Sequence, residues 1–300
     1  MSTGTVSSGS PAEFNFITFL RGPAALLVLY SHFVGRYLEG IGHTYGLKEW
    51  VDRIFVEPLV IVEDFGQLGV MIFFLLSGFI ITHVAQRETL KRFLLRRAFR
   101  IYPAYWLVIL LVMWAAVDPA VREVVREASI LDFVRIATIT NYIHDPQRIV
   151  LGVAWTLQIE LMFYILVAAM LPLLARHPIG AVLAGLSVVA FLLGTSRSFG
   201  ANWFLLAANA SYLPYLLIGQ ILYYHRFGRL SGTWALGLGF VAYLLAVWGI
   251  WSLNPAFLEP TQSRTLCLVF ALGIVSWAMR YAESFGANRR RPPAFSSGAI

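Results

Sequence analysis

GQLGVMIFFLLSGFIITHVA, residues 66–85, runs for twenty residues without one Lys, Arg, Asp or Glu. A helix of that length rises about 30 Å, the thickness of a bilayer's hydrocarbon core. The fifteen residues that follow, QRETLKRFLLRRAFR (86–100), hold six Lys or Arg and one Glu. Together the two stretches describe a membrane-crossing helix that ends on a basic loop, and such loops stay on the cytoplasmic side.

The rest of the chain agrees. Of 300 residues, 58% are hydrophobic and 13% charged, against about 25% charged in a soluble domain. A larger core does not explain the deficit, since a chain of this length still needs a polar exterior. The exterior is therefore lipid. The same length criterion gives eight candidate spans, at about 15–35, 66–85, 101–118, 150–174, 179–195, 203–224, 234–252 and 265–282. The fold class is an all-α, polytopic transmembrane helical bundle of about eight spans, without internal repeat or separate soluble domain. The fifth span is short, and 128–141 is too polar and short to cross. The longest irregular connection, 119–149, is expected to contain an amphipathic helix around VREVVREASILDFVRIAT.

Charge tests this count. With 86–100 inside, alternation also places Arg176, Arg226 with Arg229, and the Arg280/Arg289–Arg291 tail inside. The outside connections should be poorer in net positive charge. Residues 37–64 hold six acids against two bases, and 118–148 hold five against four. Both termini are then cytoplasmic. The net charge of +7 lies between apolar segments, a placement that marks topology rather than nucleic-acid binding. Residues 1–13, small and polar, read as a disordered tail without a secretory n-region. The first apolar segment is then a retained signal anchor. Residues 14–283 form the membrane domain, and 284–300 a basic cytoplasmic tail. The single cysteine, Cys267, excludes an intramolecular disulfide and a cysteine metal cluster, and reads as a small core residue.

Ionisable groups within spans are costly and point to function. The first span, FITFLRGPAALLVLYSHFVG (16–35), carries Arg21 and His32. Eleven α-helical steps turn the chain about 20° beyond three full turns and lift it about 16 Å. Both side chains therefore share a face, with Arg21 near the cytoplasmic end and His32 in the outer half. The plain alternative has Arg21 snorkelling to headgroups and His32 bonded to a neighbouring carbonyl. In RRAFRIYP, Arg97 and Arg100 are spaced i, i+3, and arginine's planar fork suits phosphate. They fit either a nucleotide-type cofactor or lipid headgroups. Glu160, in AWTLQIELMFYIL (154–166), falls near a midplane and requires protonation or a partner, His32 or Arg21 by this reading. Ser77 and Gly78 read as small-residue packing. His83-x4-Glu88 is a weak match, and the remaining histidines are assigned no chemistry.

FLRGPAALLVLYSHF, GVMIFFLLSGFIIT, FLLRRAFRIYPAYW and AWTLQIELMFYIL, in this order, resemble the membrane-bound acyltransferase 3 family, which includes O-antigen, exopolysaccharide and Nod-factor acyltransferases. The exopolysaccharide-modifying branch looks closest. The motifs cover residues 16–175. The resemblance implies transfer of an acyl group, commonly acetyl from cytoplasmic acetyl-CoA, to a hydroxyl of an extracytoplasmic carbohydrate or lipid-linked glycan. It also implies a multi-pass location in a bacterial inner membrane. By motif, His32 is the family's essential first-span histidine and Arg21 its first-span arginine. Arg97 and Arg100 are its RxxR pair, and Glu160 is the carboxylate that follows Trp155. Two departures stand out. Met71 occupies a position where members often carry Asp, and the chain ends at NRRRPPAFSSGAI before the further helical pair that members typically have. The expectation is a short variant of the family, or a truncated or frameshifted one.

The resulting expectation assigns the acyl-CoA phosphates to Arg97, Arg100 and Arg21. His32, oriented by a carboxylate such as Glu160, acts as general base, with a covalent acyl-histidine as the alternative route. No metal is required, acyl-CoA is a substrate rather than a resident cofactor, and the remaining partners are lipids. Two other readings use the same charges: a transporter or flippase for a lipid-linked sugar, and a non-catalytic partner of a polysaccharide synthase. Transporters often show repeats with broken helices, and no repeat is visible here.

Overall fold

Each long apolar run is a helix in the computed structural model, because only a helix satisfies its own backbone N–H and C=O groups in lipid. Residues 14–38, 46–51, 53–54, 65–115, 119–253 and 261–289 are described. The polar tail at 1–13, most of the acidic 39–64 connection and the basic residues beyond 289 fall outside them. No strand occurs among the described residues. The helices are α1 (Asn15–Tyr30, continued by a π-helix, Ser31–Leu38), α2 (Gly46–Val51), α3 (Phe65–Ala85) and α4 (Leu90–Ala115). They continue as α5 (Pro119–Glu127), α6 (Ile130–Ala137), α7 (Trp155–Ala169), α8 (Leu171–Arg176) and α9 (Pro178–Gly194). The last four are α10 (Ala201–Ala210), α11 (Leu213–Arg226), α12 (Gly232–Leu253) and α13 (Thr261–Arg289).

Among the described residues six helices are long and apolar enough to cross a membrane: Asn15–Val34, Phe65–Ala85, Leu90–Ala115, Gly152–Ala169, Ala201–Arg226 and Gly232–Leu253. Two shorter apolar helices, Pro178–Gly194 and Leu266–Tyr281, occupy the places of the fifth and eighth segments read from the sequence. The third segment begins earlier than its apolar run, since α4 extends back through the basic stretch to Leu90.

The chain divides into two compact units, residues 1–73 with 262–300, and residues 74–261. In the first, Phe16, Ile17, Leu20 and Ala24 form the buried stripe of α1. That helix approaches α3 so closely that a Cβ on Gly69 would lie 2.6 Å from the Ala24 carbonyl. Tyr30 meets Phe65 edge to face at 6.1 Å. On α13, Cys267, Ala271, Val275 and Ala278 are buried at helical spacing, so Cys267 is the core residue its sequence context predicts.

In the second unit α11 is the central helix. It is buried almost throughout, and it meets the second half of α3 backbone to backbone. A Cβ on Gly78 would run into the Leu216 carbonyl, and one on Gly219 into that of Leu75. The packing reading of Gly78 therefore holds, in the manner of small-residue contacts between membrane helices.

The connection after α4 differs from the single amphipathic helix expected there. Ser129 divides it, because its hydroxyl accepts from Asp132 N at 3.2 Å while the Asp132 carboxylate accepts from Ser129 N at 3.0 Å. This reciprocal cap starts a new helix, α6, instead of continuing α5. The Ser129 backbone N–H and hydroxyl hold the Asp132 carboxyl below the usual carboxylate range. The last carbonyls of a helix lack intrahelical donors; beyond the Ile139 N–H that reaches Ile136 O, α4 supplies side-chain donors to the end of α6. Tyr105 donates to Ile136 O at 2.7 Å, and Trp106 Nε1 to Ala137 O at 2.9 Å.

The α3–α11 crossing leads to a measurable expectation. Gly78→Val or Gly219→Val should cost about 1–3 kcal/mol or more, the range for overpacking a filled site. The loss is read as a lower thermal midpoint in detergent. Gly237→Ala, whose methyl meets nothing within 4 Å, should leave the midpoint in place. Equal midpoints for all three variants would contradict the backbone contact.

Candidate active site

Arg97 lies on the buried stripe of α4, in register with Phe93, Ile101, Tyr105 and Ile109. Only 8% of its surface is exposed. Its guanidinium carbon sits 5.8 Å from the centre of the Phe93 ring and 5.9 Å from that of Tyr164 on α7. Arginine attracts aromatic faces in this way, and the more so when desolvated. Its Nε is buried with no hydrogen-bond partner, and among the described residues no carboxylate forms an ion pair with it. A buried cation so placed lacks the compensation that arginines inside proteins usually find.

Arg100 does not share this environment. It is exposed, although its charge acts on the Tyr164 hydroxyl together with those of Arg97 and Glu160. The i, i+3 spacing puts the two arginines about 60° apart around the axis, and here only Arg97 lies on the packed side. The pair expected to act alike is divided into a buried and an exposed member.

Glu160 is half-buried and occupies the middle of the apolar helix Gly152–Ala169, as the sequence predicts. Within its own unit its carboxylate accepts a hydrogen bond from the Tyr164 hydroxyl. The sequence alone points to His32 or Arg21, both in the first unit, as partners of that carboxylate, and not to Tyr164. The signal was available, since residues four apart on a helix are neighbours. Phe93, four residues before Arg97, was overlooked in the same way. The second unit thus brings Arg97, Tyr164 and Glu160 into one chain of contacts, with Arg100 at its edge.

Arg21 and His32 belong to the first unit. Both are half-buried, as is Val28 between them, while Phe19, Leu26, Leu29 and Phe33 on the opposite side are exposed. The two ionisable residues lie along one flank of the buried stripe. Their α-helical register holds through Tyr30, and His32 stands at the second position of the π-helical continuation. That local widening was invisible to a 3.6-residue periodicity. π-helical turns inside helices are frequent at functional sites.

Three other basic residues of the second unit have other duties. Arg96 is paired with Glu88. Arg229 donates to Gln86 Oε1 at 2.5 Å and to the Ala175 carbonyl, and its guanidinium lies 5.8 Å from the Tyr224 ring. It ties the ends of α3, α8 and α11 together. His83 is buried, with Nδ1 at 3.3 Å from the Tyr223 hydroxyl and its ring stacked on Phe227. Its spacing to Glu88 has no chemical expression, since Glu88 faces Arg96. Among the described residues no cluster of His, Cys, Asp and Glu has the makings of a metal site.

Helices of membrane-crossing length, with Arg97 and the Tyr164-bonded Glu160 carried on two of them, define an integral membrane protein. The chain belongs to the acyltransferase 3 family, whose model, described as an acyltransferase domain, matches residues 14–293. No curated protein and no solved structure gives a significant match. The family assignment makes the activity one of acyl transfer.

The two well-defined arginines of the second unit should respond oppositely to removal of charge. Arg97→Met replaces an uncompensated buried cation by an apolar chain and should leave the thermal midpoint unchanged or raise it. Arg229→Met leaves Gln86 and the Ala175 carbonyl without their donor and should cost about 1.5–3 kcal/mol. A marked loss of stability in Arg97→Met would make Arg97 a structural residue.

Proposed function

We propose that this protein is an integral membrane O-acyltransferase with eight spans and both termini on the cytoplasmic side. It moves an acyl group, acetyl in the simplest case, from cytoplasmic acyl-CoA to a hydroxyl of an extracytoplasmic carbohydrate or lipid-linked glycan. The observation that carries this reading is Arg97, a buried arginine without an anionic partner among the described residues. Such a group is retained at a cost to stability where an anionic ligand completes it, and the phosphates of CoA are ligands of that kind. Arg100 and Arg21 supply further positive charge to the same donor. The inside placement of the 86–100 segment is supported by its six basic residues, and it puts Arg97 where a cytoplasmic donor arrives.

The chemistry needs a base and a positioned thioester. His32 takes the proton of the acceptor hydroxyl as its oxygen attacks the thioester carbonyl carbon. The carbon–sulfur bond breaks, the ester forms, and the CoA thiolate recovers the proton from the imidazolium. Acceptor and acyl-CoA become acylated acceptor and CoA, with atoms and charge balanced. Glu160 is the carboxylate of the reaction, its rotamer fixed by Tyr164. A positioned base contributes roughly 10²–10⁴-fold, and holding donor and acceptor together supplies much of the remainder.

Isotope-labelled acetyl-CoA supplied to membranes tests the proposal. Label should appear on glycan with the wild-type protein, and His32→Ala should reduce the rate by roughly 10²–10⁴-fold at equal folded amounts. Arg97→Ala should raise the concentration of acetyl-CoA needed for half-maximal transfer. Wild-type rates from folded His32→Ala would remove that residue from the chemistry. Glycan that acquires no label would favour a transporter.

A further inference from the structure

We infer that Tyr164 is a positioning residue that couples the donor-binding arginine to the carboxylate. Its ring holds Arg97 in place and its hydroxyl holds Glu160 in place. This deepens the function proposed above and rests on the reading of Arg97 as the donor site.

The geometry is that of a part fixed on three sides. Tyr164 is 2% exposed. Phe93 meets its ring edge to face, at 6.1 Å and 82°. The Arg97 guanidinium carbon lies 5.9 Å from its ring centre, and its hydroxyl donates to Glu160 one turn back on α7. Phenol and ring are one rigid body with two rotatable bonds. The rotamer that receives Arg97 therefore also fixes the position of the hydroxyl oxygen that donates to Glu160.

Three of the other buried tyrosines of the same unit show what a phenol committed to the backbone does, while Tyr223 faces the His83 ring nitrogen. Tyr105, Tyr142 and Tyr224 give their hydroxyl protons to the main-chain carbonyls of Ile136, Leu151 and Leu174. They satisfy the backbone. Tyr164 gives its proton to a side chain with a charge state and a rotamer of its own. A hydrogen bond to a carboxylate is about twice as strong as one between neutral groups. Arg97 in turn has no carboxylate among the described residues to fix it, so the two rings are what hold the guanidinium. Phenylalanine at 164 would fill the space and keep the ring under Arg97, but Glu160 would lose its donor.

Two substitutions separate the two duties. Tyr164→Phe keeps the ring. It should leave the affinity of membranes for labelled acetyl-CoA unchanged, while turnover per folded molecule falls about ten- to a hundredfold. Tyr164→Leu loses ring and hydroxyl together. It should show the same loss of turnover and, in addition, acetyl-CoA affinity weaker by a few-fold to about tenfold. Folded amounts are measured by size exclusion in detergent. A phenol that matters only for packing would not divide its effects between binding and turnover. Wild-type turnover in folded Tyr164→Phe, or equal weakening of acetyl-CoA binding in both variants, would overturn the assignment. Wild-type membranes that bind and transfer the label establish the donor reading independently, so a failed split counts against Tyr164 alone. Wild-type membranes that bind no acetyl-CoA remove the donor reading and this inference with it.

Discussion

An arginine inside a helical bundle has three ways to reduce the cost of its desolvation: an anion, a set of carbonyls, or a path to water. Arg229 uses carbonyls, from the Gln86 amide and the Ala175 backbone. Arg96 uses an anion, Glu88. Arg97 has two aromatic faces and a buried Nε without a partner. Aromatic faces attract a guanidinium by about 0.5–2 kcal/mol, less than the several kcal/mol that burying an ion costs. The packing of α4 against α7 must supply the difference. Phe93 and Tyr164 meet edge to face and are both almost fully buried, so the contact that holds the two helices together is also the one that confines the charge.

That contact fixes the register of the two helices. With Tyr164 beside Phe93 and Arg97, Glu160 lies about 6 Å further along the axis of α7, and the start of that helix about 13 Å. On α4 the step from Arg97 to Tyr105 is about 12 Å, and there the Tyr105 and Trp106 side chains hold the end of α6. The irregular segment after α6 is bound again from another side. Asn209 of α10 donates to the Tyr142 carbonyl at 3.2 Å, and Asn202 accepts from Asp145 N at 2.8 Å. The longest irregular connection expected from the sequence is thus pinned in its second half to helices of the second unit.

What the sequence discloses follows from the range of the forces involved. Apolar runs and loop charges are properties of whole segments, averaged over many residues. They disclose the helices, and the same averages place Glu160 at the middle of its own. Ser129 also carried a readable signal, with Asp three residues on, but a capping box is local chemistry that an amphipathic pattern running across it conceals. The division of Arg97 from Arg100 was not legible. Both lie in one basic run, and which of them faces the bundle depends on about 60° of rotation that only the packing of Phe93 settles. Arg229 was illegible for a related reason. Its partners stand 143 and 54 residues away, and a basic residue after a helix looks the same whether it faces solvent or clamps three chain ends.

Charge density alone therefore misstates the chemistry of this basic stretch. In the proposed topology the six Lys or Arg between 86 and 100 orient the chain collectively, and that duty tolerates exchange among them because the positive-inside effect counts residues rather than places. An anion site does the opposite. It depends on one guanidinium held in one direction, and direction comes from what the cation touches. Arg96 is committed to Glu88, and Arg100 stands exposed. Arg97 joins a buried Nε without a hydrogen-bond partner to an orientation set by two rings. The phenol that orients it also holds the carboxylate at the middle of the next helix, so a displacement of either charge is transmitted to the other through a single ring.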